Sequence, residues 1–183
     1  MNTLIAFYSR AGENYVDGAL RTLAVGNTEV VARTIRRYVG GDLYPIQPAQ
    51  PYSESYCECI NQAKQDQSRG VRPPLAGPSI DLSGYDVICL GWPNYWDTLP
   101  MPVVTFLEAH DLSGKVILPF CTHEGGGFGR ALRDLSRLCP GAEIWDGLSI
   151  RGARAALEEE AIAEWAAEHL RPVKEIPSLG EKA

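Results

Sequence analysis

Three short stretches of the chain are strongly apolar along their whole length: Thr3–Tyr8, Tyr85–Gly91 and Lys115–Cys121. A strand with one wet face alternates apolar and polar residues, whereas a continuous run requires cover on both faces. That demand points to a parallel sheet between two layers of helices. The intervening segments supply those layers. From Thr28 the apolar positions Val30, Val31, Ile35 and Val39 recur at helical spacing, and Gly40-Gly41 closes the helix. Met101–Ala109 (opened by Pro100 and Pro102), Phe128–Leu138 and Ala156–Leu170 read as further helices. Asp42–Ile46 fits a short strand that Pro45 confines to an edge, and Ala142–Ile150 holds a last strand. Residues 47–84 are the least regular part, with a polar helix over Tyr52–Ser68 and a loop marked by Pro73-Pro74 and Gly77-Pro78. The expectation is an α/β fold: five parallel strands, right-handed crossovers and helices on both faces, in one domain over residues 1–183.

Charge and cysteine usage exclude several classes of function. A net charge of −6 disfavours attraction to nucleic acid, and Arg33, Arg36 and Arg37 read as the wet face of a helix. Five cysteines do not form a disulfide framework, and Cys57-Glu58-Cys59 lacks zinc-ligand spacing. Leu4–Tyr8 is too short for a signal peptide, and no run approaches the roughly 20 apolar residues of a membrane span. A cytoplasmic protein without membrane insertion is expected.

In sheets of this kind ligands sit beyond the carboxyl ends of the strands, at a switch in strand order. The chain is unusual in those places. Ser9 and Arg10 follow the first strand, and Gly26-Asn27-Thr28 open the first long helix after the excursion Ala11–Val25. Hydroxyls, an amide side chain, a glycine and a helix N-terminus suit a phosphate monoester; the structural alternative is that Thr28 caps the helix and Asn27 makes a turn. After the next central strand, Trp92-Pro93-Asn94-Tyr95-Trp96 places three aromatic residues in five positions, suited to stacking on a planar ligand or to a protein interface. The third loop, Thr122-His123-Glu124-Gly125-Gly126-Gly127, brings backbone close to a ligand and offers hydrogen bonds to a ring edge.

These three loops, in this order, resemble those of the flavodoxin-like family of FMN-binding proteins, over nearly the whole chain. The resemblance implies a strand order of 2-1-3-4-5 and FMN as cofactor. Flavodoxins carry a compact hydroxyl-x-Thr-Gly-x-Thr phosphate loop; here Ser9-Arg10 and Gly26-Asn27-Thr28 match its two ends, with Ala11–Val25 inserted at the middle threonine. Loop-closure entropy grows slowly with length, so the two halves need only meet in space. Arg10 and Asn14 are candidates for the role of the missing threonine; Glu13, Asn14, Tyr15 and Asp17 are expected to cover the ligand in part, with the acidic Glu13 and Asp17 facing away from the phosphate. Pro93, Asn94, Tyr95 and Trp96 stand where the family places residues beside the isoalloxazine ring, and Thr122, His123, Glu124, Gly125 and Gly127 where it lines the ring edge.

The function implied is electron transfer through a bound flavin, to a redox partner protein or a small-molecule acceptor. An NAD(P)H-dependent quinone or FMN reductase is the alternative, although no G-x-G-x-x-G follows a strand. A non-catalytic binding domain on the same fold is a third reading. A Cys121–His123 nucleophile pair is a fourth, opposed by the apolar strand around Cys121.

Overall fold

The computed structural model describes residues 1–170; residues 171–183 of the expected domain lie outside the described residues. β1 (Thr3–Phe7) runs parallel to both of its neighbours, β4 (Asp42–Pro45) at the edge and β5 (Val87–Pro93) at the centre. β6 (Val116–His123) follows β5, again parallel. β7 (Glu143–Ile144) and β8 (Leu148–Arg151) pair one after the other with β6, so they form two pieces of one fifth strand. The order is therefore the expected 2-1-3-4-5, with helices on both faces. The expected last strand over Ala142–Ile150 is corrected to these two pieces. Its break lies beside Pro119, which offers no N–H, and Gly147 in the gap sits so close that a Cβ would fall 2.8 Å from the Pro119 carbonyl oxygen.

Side-chain alternation splits the core into two layers. Leu4, Ala6 and Tyr8 with Ile88, Leu90 and Trp92 face α3 (Met101–Glu108) and α4 (Ala131–Leu138). Ile5, Phe7, Val87, Cys89, Leu118 and Phe120 face α1 (Asn27–Val39) and α5 (Glu159–His169). Each large apolar side chain buried this way contributes about 1.5–3 kcal/mol. Gly91 exists to admit a neighbour: a Cβ there would collide with the Phe120 ring. α1 ends on Gly40 at φ 76°, as a glycine-closed helix should.

The excursion after β1 is a two-stranded antiparallel hairpin, β2 (Gly12–Val16) and β3 (Ala19–Leu23). Its turn is Asp17-Gly18 with φ 50° and 82°, the pair of left-handed residues that a two-residue turn of matching twist requires. Three helix starts fall later than expected. α2 spans Tyr56–Arg69, because Tyr52 instead donates its hydroxyl to Asp66 at 2.9 Å. α4 starts at Ala131, since Gly125, Gly127 and Gly129 hold positive φ ahead of it. α5 starts at Glu159, after a 3-10 turn over Gly152–Arg154 and the residues following it. Among the described residues no helix is long and apolar enough to cross a membrane, and no group of three or more His, Cys, Asp or Glu side chains is placed to hold a metal.

Candidate cofactor-binding site

Beyond the carboxyl ends of β1, β5 and β6 lies a cleft of about 250 Å³. The two halves of the divided phosphate motif meet here. Ser9 Oγ accepts the backbone N–H of Glu29 at 3.1 Å, so a residue after β1 caps α1 from outside the helix. Gly26 is the N-cap residue itself and has no side chain to contribute. It cannot be larger, because a Cβ would fall against Ser9 Oγ and the Arg10 carbonyl. Thr28 is not the cap. Its hydroxyl is buried against that of Thr122 at 2.7 Å, tying α1 to β6. Each hydroxyl carries one hydrogen and one is spent between them, which leaves the other over. The backbone N–H groups of Asn27 and Thr28 have no acceptor within their own helix.

The hairpin is fastened over one flank of the cleft. Arg10 donates to the backbone carbonyls of Glu13, Ser53 and Glu54, joining β2 to the segment before α2. Asn14 Nδ2 donates to the carbonyls of Arg10 and Gly12, each at 3.1 Å. Glu13 Oε1 accepts the N–H of Tyr56 at 2.8 Å, which ties β2 to the start of α2. Glu124 clasps two elements at once: Oε2 accepts from Asp17 N–H at 3.0 Å and Oε1 from Ala153 N–H at 3.1 Å. Its carboxylate is committed to main chain.

The aromatic loop divides into three environments. Trp92 and Pro93 complete β5, and the Trp92 ring is fully buried against Phe128, with ring centroids 5.8 Å apart. Trp92 therefore belongs to the core, a correction to its expected place in the loop. Trp96 and Asp97 form the corner of a tight turn with φ 52° and 68°, costly for non-glycine residues and concentrated at functional sites in general. Tyr95 points inward, edge-on to Tyr8 at 5.9 Å with its hydroxyl 3.7 Å from Cys59 Sγ, and burial raises the pKa of both phenol and thiol. Trp96 stays 40% exposed; its indole N–H donates to the Ile60 carbonyl at 2.6 Å and Lys64 Nζ covers one ring face at 4.5 Å. One indole face is thereby occupied.

At the third loop, Asn94 Nδ2 donates to the Gly127 carbonyl at 2.7 Å and Asn94 N–H to the Thr122 carbonyl at 2.8 Å, which couples the second loop to the third. His123 Nδ1 accepts the N–H of Gly125 at 2.9 Å, so the neutral ring carries its proton on Nε2. Burial lowers the His123 pKa, with nearby Arg151 acting in the same direction and Glu124 against it. The nucleophile reading fails here. The Cys121 thiol is pushed up to about 12 by burial, Sγ faces the carbonyls of Thr122 and Gly127 at 3.6 Å, and His123 spends Nδ1 on backbone.

Of the residues singled out in the sequence, Ser9, Arg10, Asn14, Asn27, Thr28, Pro93, Asn94, Tyr95, Trp96, Thr122, His123 and Glu124 line one cleft. Gly26, Gly125 and Gly127 do not line it and act on the paths of the loops that do. Tyr15 of the excursion lines it as well, and so do Tyr56, Ile60 and Gly152, which were not anticipated. Gly152 leaves room: a Cβ there would fall 2.7 Å from Glu124 Oε1 and against the Asn27 amide. The excursion folds back as a hairpin turned at Asp17-Gly18, and its Asn14 and Tyr15 reach the cleft.

Comparison with known proteins agrees with this architecture. A family model described as Flavodoxin matches residues 21–169. A crystal structure of a protein from Bacteroides eggerthii, provisionally called a flavoprotein, is 29% identical, covers 91% of this chain and 96% of that one, and superposes with a TM-score of 0.67. A similarly described protein from Bacteroides uniformis is 26% identical, with 91% and 97% covered and a TM-score of 0.66. A flavoprotein from Lactobacillus acidophilus, solved in complex with FMN, shares the fold at 18% identity, with 90% and 98% covered and a TM-score of 0.62. No curated protein matches. With more than half of its length matched, the chain belongs to the flavodoxin family.

Proposed function

We propose that this protein binds FMN in the cleft and passes electrons through it. The observation that carries this reading is a convergence: the amino end of α1, with the Asn27 and Thr28 amides free of intrahelical partners, opens into a cleft that Tyr95 and Trp96 also line. An anionic tail and a flat ring are the two halves of FMN, and the donor set fits both. When bound, FMN supplies the electron chemistry, while the chain binds, orients and tunes it.

Ser9, Asn27 and Thr28 hold the phosphate with main-chain N–H groups, hydroxyls and the helix dipole. Arg10 and Asn14 order the loop through carbonyls, and the guanidinium charge of Arg10 adds an attraction for the anion. The open face of Trp96 and the ring edge of Tyr95 lie along the flavin, with Pro93 and Asn94 beside them. His123 Nε2–H and the main chain around Thr122 donate to the ring edge, while Glu124 holds the hairpin rather than the flavin. Gly125 and Gly127 let that loop turn close to the ring.

The test is an absorbance spectrum of purified protein followed by titration with FMN, FAD and NADPH. FMN uptake at one per chain supports the reading, and absence of uptake leaves a binding domain without flavin. Anaerobic bleaching of the bound flavin by NADPH alone would assign a reductase; its absence assigns a shuttle served by another donor.

A further inference from the structure

β3 is the outer strand of the hairpin, and its free edge is unguarded. Its register with β2 runs without a bulge, from Gly12 opposite Leu23 to Val16 opposite Ala19. A two-residue turn closes on a pair that exchanges both main-chain hydrogen bonds, and bonded and unbonded pairs then alternate. Ala19, Arg21 and Leu23 therefore bond inward to β2, while Leu20 and Thr22 turn N–H and C=O outward. β3 pairs with β2 alone, and no loop backbone among the described residues takes those outward groups. The main sheet ends differently: β4 at one edge carries Pro45, and the fifth strand at the other is broken in two. Short pieces and prolines keep a sheet edge from recruiting another strand. β3 has neither proline nor lysine, and all of it but Leu23 is exposed, Leu20 by 50%.

We infer that β3 pairs with β3 of a second copy of this chain, antiparallel about a twofold axis between the two Leu20 residues, which joins two hairpins into a four-stranded ribbon. This interface is independent of the FMN reading. Two identical antiparallel strands related by such an axis meet where a residue faces its own copy. Leu20 fits that place: its outward N–H and C=O bond those of Leu20 in the second copy, and the two exposed side chains cover each other. Arg21 does not fit, because its main-chain groups point to β2 and two guanidinium charges would stand opposite. Centring on Thr22 would leave Leu20 opposite Ala24, past the end of the partner strand. About Leu20, Arg21 lies opposite Ala19 of the second copy and diagonal to its Asp17. Arg21 and Asp17 are both exposed, and neither has an ion-pair partner among the described residues. The axis forms this pair of opposite charges twice. One five-residue edge from each copy falls short of the about 1,200 Å² that stable interfaces bury, so the dimer is weak and set by concentration.

The experiment is sedimentation velocity on the full chain from about 10 µM to about 1 mM, the range in which weak association registers. The expected result is a weight-average mass that rises with concentration from one chain toward two. Leu20→Lys, which sets charges at the axis and leaves the bonds to β2 intact, should raise the dissociation constant at least about tenfold with an unchanged melting temperature. Arg21→Glu should weaken the dimer too, by facing Asp17 with a like charge, and added salt should weaken that of the parent. Hydrogen exchange locates the contact: the outward Leu20 amide should exchange several times more slowly at the high concentration than at the low. A mass of one chain at every concentration would overturn the pairing. A dimer that Leu20→Lys leaves intact, or that gives the Leu20 amide no protection, would overturn it as well, by putting the contact elsewhere on the surface.

Discussion

Gly26 and His123 show how single positions set what the cleft can do. Gly26 is dictated by proximity: the chain after β1 passes so close that any side chain would strike Ser9 and Arg10. Gly26→Ala should destabilise the protein by about 1–3 kcal/mol, as overpacking generally does. It should also weaken FMN binding about tenfold or more, measured by titration of apoprotein. His123 is held neutral, because a second proton would go to Nδ1, which already accepts the Gly125 N–H. Its folded-state pKa is lowered, so the unfolded chain binds that proton more readily and the linked stability grows with pH. That stability is fully present above the ordinary histidine value of about 6.5 and is lost as pH falls toward the depressed value. Thermal melts from pH 5 to 8 should therefore show a decline below about 6.5 that His123→Gln flattens.

Among the elements, the hairpin is the part that distinguishes this chain from a compact phosphate loop. Glu124 holds its tip by one carboxylate oxygen and the 3-10 turn by the other. Hydrogen bonds to charged groups contribute about 1.5–3 kcal/mol, so Glu124→Ala should speed hydrogen exchange at the Asp17 and Ala153 amides at least about tenfold, with little change in β5 and β6. Equal acceleration throughout the sheet would show that the residue supports the fold at large. This element was the least legible in the sequence. β3 is exposed along nearly all its length and has no apolar alternation to reveal it, so the excursion read as a loop although Asp17-Gly18 has the chemistry of a hairpin turn. The central strands were legible because burial on both faces forces continuous apolar runs, and α1 because its stripe and Gly40 agree. The run continued through Trp92, yet the cluster of aromatic residues read as loop; period alone does not mark where a buried strand stops. The broken fifth strand needed the neighbourhood of Pro119 and Gly147, and the Tyr56, Ile60 and Gly152 lining needed segments far apart in sequence to meet. Such meetings leave no local pattern.

Taken as a whole, the chain places its chemistry at one rim of a parallel sheet packed between two mainly apolar cores. Strand order leaves a crevice between the chain ends after β1 and β5, and the amino end of α1 points into it. A ligand that binds only the folded state stabilises it by about 2.7 kcal/mol at a hundredfold excess over its dissociation constant. FMN at that excess should thus raise the melting temperature by several degrees, and Gly26→Ala should blunt the rise. The most direct measurement is titration of purified apoprotein with FMN, followed by flavin fluorescence and absorbance together. The account predicts saturation at one FMN per chain, with fluorescence quenched by the adjoining aromatic rings. Flavin that stays free in solution at every protein concentration would contradict it.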